Sequence, residues 1–297
     1  MTSTKPLLAV PNVSEGRDPA TIGAVARAFT ADNKARLLDV HSDPDHHRSV
    51  FTLAGAQGEL SRALVLGARA AIERIDVGEG RDAANVGVHP HVGAVDVIPL
   101  VFLDRTQRGA ACAEALVLAH EVGEGLGVPV FLYGELAQGR TRAELRRGGA
   151  WGLAERLSTG ELRPDFGPPR LHPTAGATLV AAREPLVAFN LELAAPATLQ
   201  DAKRIAGSIR EGGGDGLPGV RAIGVPLSGA IQVSTNVERP LEVSLRAVVD
   251  AVRAHGEIAR AELVGLAPRA ALEGLPGDLI FVGGDPMAQT IENALGF

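Results

Sequence analysis

Residues 186–193 read LVAFNLEL, residues 199–210 read LQDAKRIAGSIR, and 220–225 and 231–236 read VRAIGV and IQVSTN. The first, third and fourth are short runs rich in aliphatic, β-branched and aromatic residues, the composition of strands. Ala202, Ile205, Ala206 and Ile209 recur at the spacing of one helix face, and Leu245, Val248, Val249 and Val252 do so again within 242–255. With Glu262 to Leu266 as a closing strand, the order is β-α-β-β-α-β, the split-βαβ pattern.

The first half has the same order without a matching sequence repeat. Leu7 to Val10, Arg36 to Val40, Ser49 to Ala54 and Ala94 to Phe102 read as strands, and Thr21 to Phe29 and Gly58 to Ile75 as helices. Asp18-Pro19 supplies an N-cap and a first-turn proline for the earlier helix. A helix from about Gly109 to Gly125, a strand Val128 to Tyr133 and a short charged helix Arg140 to Arg147 follow. Arg163-Pro-Asp-Phe-Gly-Pro-Pro-Arg170 can propagate neither a helix nor a central strand, and reads as a linker. The expected fold class is α/β (α+β). It comprises two split-βαβ, ferredoxin-like subdomains, 1–180 and 181–297, with a ligand cleft between them. The tail from Gly283 is expected to end in a short helix.

The chain of 297 residues can bury a core without disulfides or metals. Its net charge of −6 argues against nucleic acid or an anionic membrane as the main partner, while leaving room for a local arginine cluster that takes an acidic small molecule. One cysteine, Cys112, excludes an intramolecular disulfide and falls in an apolar helical run. The N-terminus lacks the pattern of a signal peptide and no window is long enough to span a bilayer, so a cytoplasmic protein is expected.

Four polar clusters could carry chemistry. Pro11-Asn-Val-Ser-Glu-Gly16 follows the first strand and is either a site edge or a capped turn. Asp39-Val-His-Ser-Asp-Pro-Asp-His-His-Arg-Ser49 packs three Asp, three His and an Arg into eleven residues. It is open to three readings: a substrate-binding loop in which Arg48 grips a carboxylate, a solvated loop, or a metal site, although its spacing matches no standard metal motif. Gly87-Val-His-Pro-His-Val-Gly93 enters an apolar strand, and an imidazole there suits acid/base work near neutral pH. The fourth cluster runs from Asp165 through Leu171-His-Pro-Thr-Ala-Gly-Ala177. There is no phosphate loop of the Walker type and no Cys-x-x-Cys pair.

At these clusters the chain resembles the glutamate formimidoyltransferase family. The matching strings are Val10-Pro-Asn-Val-Ser-Glu-Gly-Arg-Asp18, Leu37-Leu-Asp-Val40, Asp45-His-His-Arg-Ser-Val-Phe51, His89-Pro90 and Gly93-Ala-Val-Asp-Val-Ile-Pro99. Tyr133-Gly-Glu135, Leu145-Arg-Arg-Gly148, Pro164-Asp-Phe-Gly-Pro168, Gly176-Ala-Thr178 and Ala202-Lys-Arg-Ile-Ala206 continue the series, and Leu217-Pro-Gly-Val220, Gln232-Val-Ser234 and Val264-Gly-Leu266 close it. Each string is short, but the ordered set covers almost the whole chain.

The resemblance implies two α/β subdomains facing each other across a cleft. It implies transfer of a formimidoyl group from N-formimidoyl-glutamate to N5 of tetrahydrofolate, a co-substrate, with no metal. The implied catalytic histidine is His89; the chemistry of a cationic amidine on a dicarboxylate adds Asp39 and Asn12 as catalytic candidates that hold and orient the amidine, and Arg48 and His91 as substrate-binding ones. Folate contacts fall on Pro164, Asp165, Phe166, Gly167, Pro168, Pro169, Arg170, Leu171 and His172. A homodimer without nucleic-acid or membrane partners is expected, performing the transfer alone without a cyclodeaminase half. Where the family usually shows Gly-Glu-His-Pro-Arg, this chain has Gly87-Val-His-Pro-His91. Losing the acidic neighbour lowers the pKa of His89, and a neutral imidazole does not replace a guanidinium fork. Two other classes stay open: a folate-binding relative that uses formyl-glutamate or turns nothing over, and a metal-dependent hydrolase built on His41 to His47 with His91.

Overall fold

The computed structural model describes residues 6–78 and 91–296. The chain divides after Arg183 into two units, each taken by itself here.

The second unit contains β8 (Val187–Leu193), α6 (Leu199–Ile209), β9 (Val220–Leu227), β10 (Ala230–Val237), α7 (Leu245–Arg253) and β11 (Ile258–Val264). The antiparallel sheet runs β11-β8-β10-β9, the split-βαβ order that the sequence predicts. Strand alternation decides its two faces. Phe189 and Leu191 stand beside Thr235 and Val233 on one side and Leu263 and Ala261 on the other, and all but the threonine join one core with the apolar stripes of α6 and α7. Thr198 and Asp201 close a capping box on α6, and Ser244 caps α7. The alternate positions form a polar face, where Arg260 Nε donates to Glu192 at 2.6 Å and Asn190 Nδ2 to Glu262 at 3.1 Å.

In the first unit, β1 (Leu7–Ala9) and β2 (Asn12–Val13) act as one interrupted strand, since both pair with β4 (Arg48–Gly55) and β5 (Val95–Val101). The interruption falls at Pro11, which has no N–H for a ladder. With β3 (Ala35–Asp43) outside β4, and α1 (Pro19–Phe29) and α2 (Leu60–Ile72) as connections, this is a second split-βαβ core. It is extended by β7 (Thr178–Arg183) and β6 (Val130–Leu132), parallel to β5, with α3 (Arg108–His120) connecting β5 to β6. One sheet face packs Phe51, Leu53, Ile98, Leu100 and Val180 against Phe29, Leu64 and Leu118 of the three helices. Over β5-β7-β6 the other face carries Val97, Phe131, Tyr133 and Leu179, covered by Leu145 of α4 (Arg142–Arg146) and Leu153 and Leu157 of α5 (Gly149–Ser158). The final short helix, α8 (Ile291–Leu295), lies where the tail helix is expected.

β2, β7 and α5 are absent from the sequence reading, and one expectation is corrected. Residues 163–170 do not connect the units; they run inside the first one. Val130 N–H donates to Phe166 O and Asp165 N–H to Val130 O, each at 2.9 Å, so the segment lies along the edge of β6. Prolines are tolerated at such an edge, where a missing donor faces no partner strand. Gly167 (φ +83°) and Gly123 pack backbone to backbone, and Gly167 N–H donates to Glu124 at 2.9 Å.

A buried acid substitutes for a missing cap. α2 has no capping side chain of its own, and the buried Glu114 of α3 accepts from the N–H groups of Gly58 and Ser61 instead. Glu114→Ala leaves these donors unpaired and is expected to cost about 3 kcal/mol of unfolding free energy. Urea denaturation would show this as a lowered midpoint, which Glu114→Gln partly restores.

Candidate active site

The strand pairs of the first unit line up one polar face. Asp39 stands opposite Thr52, His41 opposite Val50, and Asp43 opposite Arg48, while Asn12 stands beside both Val50 and Val97. Paired residues on neighbouring strands point to the same side, so Asn12, Asp39, His41 and Arg48 share the face that carries Val97, away from α1 and α2.

Two β-bulges make this face acidic. Leu37 packs towards the helical core, and in a regular strand Asp39, two residues on, would follow it. The register shifts between Leu37 and Asp39, so the aspartate turns to the opposite side. A second shift faces Asn12-Val13 with Val95 to Val97, and lets Asp96 join the polar side although Val95 belongs to the core under the helices.

Asp39 is half-buried, and its Oδ2 is buried with no hydrogen-bond partner. Desolvation raises its carboxyl above the ordinary value, against the opposing influence of His41 and of the Val40 N–H. Asp96 is 1% exposed and doubly engaged: Val92 N–H donates to Oδ1 at 2.9 Å, and Arg146 Nη2 donates to Oδ2. Arg48 belongs to the same charged group. Burial, followed by the nearby Arg146 and Arg142, lowers its guanidinium to about 10, with Asp96 and Asp43 acting in the other direction. It therefore remains cationic at neutral pH.

The corner formed by residues 14–17 and 43–48 fixes this face. Asp43 Oδ1 accepts from the N–H groups of Asp45 and His46, both at 2.8 Å. His47, with φ +48°, turns inward so that its Nδ1 accepts from Gly16 N–H at 3.1 Å. A β-carbon at Gly16 would overlap Asp43 O and Arg48 N, hence the glycine. Ser14 Oγ donates to Gly93 O at 2.7 Å and Ser49 Oγ to Glu15 O at 2.6 Å. The cluster 39–49 is thus a tight hairpin, not an open loop, with His46 and His47 in its supporting turn. Among the described residues, no group of three or more His, Cys, Asp or Glu could hold a metal ion.

The turn at 172–177 supports two further strand ends. His172 Nδ1 accepts from Ala175 N–H at 3.0 Å. Val77 N–H donates to Thr174 O at 2.7 Å, Ala94 N–H to Ala175 O and Ala177 N–H to Val92 O at 2.9 Å. His89 lies outside the described residues. His91 is half-buried and directly precedes Val92.

Of the residues selected from the sequence, Asn12, Asp39 and Arg48 are brought together, and His91 adjoins the strand that carries Asp96. Residues 164–172 rest on different supports, β6 and the turn just described. Asp165 accepts from Leu132 N–H at 2.7 Å and from Arg140, Phe166 packs on the helical core, and Leu171 packs under α5. The sequence reading assigned no role to Asp96, Tyr133, Arg142 and Arg146. A signal for Asp96 was present, since a charge inside the apolar strand Val95-Asp-Val97 requires a partner.

Residues 7–183 match the family described as the formiminotransferase domain, N-terminal subdomain. The glutamate formimidoyltransferase of Streptococcus pyogenes serotype M1 is 35% identical over 273 residues, covering 89% of each chain. That of Thermoplasma acidophilum is 35% identical over 277 residues, covering 89% of this chain and 88% of the relative. The formimidoyltransferase-cyclodeaminase of Sus scrofa is 37% identical over 283 residues, but the match spans only 50% of that longer protein. With the family match extending over more than half of its length and these relatives over most of it, the chain belongs to the formiminotransferase family.

Proposed function

We propose that this chain is a glutamate formimidoyltransferase, which transfers the formimidoyl group of N-formimidoyl-L-glutamate to N5 of tetrahydrofolate. The observation that carries the reading beyond family membership is the unpartnered, desolvated carboxylate oxygen of Asp39, on one sheet face with Asn12 and Arg48. A cationic amidine supplies the donor that this oxygen lacks, and a dicarboxylate supplies the counter-charge for Arg48.

N5 of the folate attacks the amidine carbon to give a tetrahedral intermediate. The C–N bond to glutamate then breaks, and the glutamate nitrogen takes a proton. One imidazole can remove the N5 proton and return it to the leaving nitrogen, the role that the family resemblance gives His89. Asp39 and Asn12 hold the amidine, and residues 164–172 are assigned to the pterin. The reading includes a cytoplasmic homodimer. No helix among the described residues is long and apolar enough to cross a membrane.

Asp39→Asn tests the amidine contact. Asp39 ionises as pH rises through its raised pKa, so donor affinity is expected to increase with pH over that interval, and the asparagine variant to lose the dependence. The stability change has the opposite sense. A desolvated carboxylate destabilises the fold above its folded pKa, so the variant gains stability at neutral pH. That gain disappears as pH falls through the folded pKa to the unfolded value. Donor KM and urea midpoints across pH read the two effects.

The pair Val88 and His91, in place of the usual Glu and Arg, favours one second reading: a folate-binding relative that takes formyl-glutamate or has no turnover. Initial rates with tetrahydrofolate and each donor decide between them. Glutamate release and 5-formimidoyltetrahydrofolate formation are expected with the formimidoyl donor. Turnover with the formyl donor alone, or folate binding without turnover, would select the second reading.

A further inference from the structure

α4 lies on the polar side of the first sheet, anchored by Leu145 among Tyr133, Val97 and Leu179. Arg146, on the same turn, reaches Asp96, while the Arg142 guanidinium stands 5.9 Å from the centre of the Tyr133 ring. Arg48 faces the same side from the end of β4, since it alternates with Val50. Arg48 thus lies within the electrostatic reach of Arg142 and of Arg146, the latter paired with the buried Asp96, with Asp43 at the margin, where its Oδ1 already serves two backbone donors.

Two buried polar atoms here have no hydrogen-bond partner: the Tyr133 hydroxyl, on a side chain 6% exposed, and Arg146 Nε. Donors buried without acceptors beside these guanidiniums are costly unless an anion completes them.

We propose that Arg48, Arg142, Arg146 and Tyr133 form a carboxylate subsite that holds the glutamate end of the one-carbon donor and selects dicarboxylates over monocarboxylates. This inference rests on the transferase reading for the identity of the ligand, but the anion site itself does not depend on turnover. Arg48 and Thr52, the partner of Asp39, are four residues apart on β4, a separation of about 13 Å along a strand. An arginine side chain and a glutamate skeleton together bridge that length, so the amidine can reach Asp39 and Asn12 while its carboxylates rest on the arginines. These residues therefore set donor specificity, where the reading of the sequence named only Arg48 and His91.

The test uses the full chain and glutarate as a non-reacting probe, by titration calorimetry, with butyrate as the monocarboxylate. Wild type is expected to bind glutarate and to bind butyrate at least about tenfold more weakly. Arg48→Gln and Arg142→Gln should each weaken glutarate about 10- to 100-fold, as for loss of a hydrogen bond to a charged group, and Tyr133→Phe by a smaller factor. Arg69→Gln, on the exposed side of α2, should leave the affinity unchanged. Arg146 is left intact because its loss would strand buried Asp96. Near-ultraviolet circular dichroism establishes that each variant is folded. In turnover, Arg48→Gln and Arg142→Gln should raise donor KM with little change in the KM for tetrahydrofolate. Glutarate affinity unaltered in folded Arg48→Gln and Arg142→Gln, or no glutarate binding by wild type, would overturn the subsite. Arginine-dependent glutarate binding without formimidoyl transfer would keep the subsite and reject the transferase reading.

Discussion

His89→Ala is expected to lower kcat by about 10²- to 10⁴-fold, the range for loss of a positioned general acid/base. The dissociation constant for tetrahydrofolate should stay within about twofold, because folate contacts are assigned to residues 164–172 and His89 to the proton alone. Stopped-flow turnover together with equilibrium folate binding separates these effects. Free imidazole should restore part of the rate, which a purely structural histidine would not allow. The wild-type pH profile carries a second signature. Val88 stands where the family usually has a glutamate, and a carboxylate placed next to His89 in the chain would favour the charged imidazole, so the apparent pKa should rise in Val88→Glu. An unchanged kcat in His89→Ala would remove His89 from the chemistry.

The largest stability loss is expected at Asp96. Its carboxylate is the counter-charge for Arg146 and the acceptor for Val92 N–H, and the group is almost wholly buried. Asp96→Ala leaves a guanidinium and an amide unsatisfied at once and should cost about 3–5 kcal/mol in urea unfolding. Asp96→Asn keeps an acceptor for Val92 and should lose less. Because breaking a buried pair costs more than replacing both partners, Asp96→Ala/Arg146→Met should recover part of the loss. A double variant less stable than Asp96→Ala by the full cost of Arg146→Met alone would show that the two residues are not coupled.

The second unit was legible because each level of its sequence agrees with the next. Phe189 and Leu191 alternate with Asn190 and Glu192, the stripes on α6 and α7 repeat at helical spacing, and Thr198 and Ser244 cap where those stripes begin. The first unit was legible apart from β2, β7 and α5. β7 lies next to β5 although 83 positions separate their first residues (Val95 and Thr178), and no local pattern announces such a parallel pairing. The proline-rich segment 163–170 misled for a related reason: its prolines exclude a helix or a central strand but permit an edge, and composition alone does not tell an edge from a linker.

Within the site, the residue types of Asn12, Asp39 and Arg48 were readable, but their shared face was not. It depends on a bulge after Leu37 that reverses the alternation of β3. The same limit hid Arg142 and Arg146. On a short charged helix they look like solvated residues, until Leu145 fixes that helix against the sheet and directs Arg146 to a buried aspartate.

The most direct test follows the transferred carbon itself. N-formimidoyl-L-glutamate labelled with ¹³C at the formimidoyl carbon is mixed with tetrahydrofolate and the protein, and its resonance is followed by NMR. The signal is expected to leave the glutamate nitrogen and appear on N5 of the folate at a rate that depends on His89. A resonance that stays on glutamate, with folate demonstrably bound, would contradict the assignment of this chain as a formimidoyltransferase.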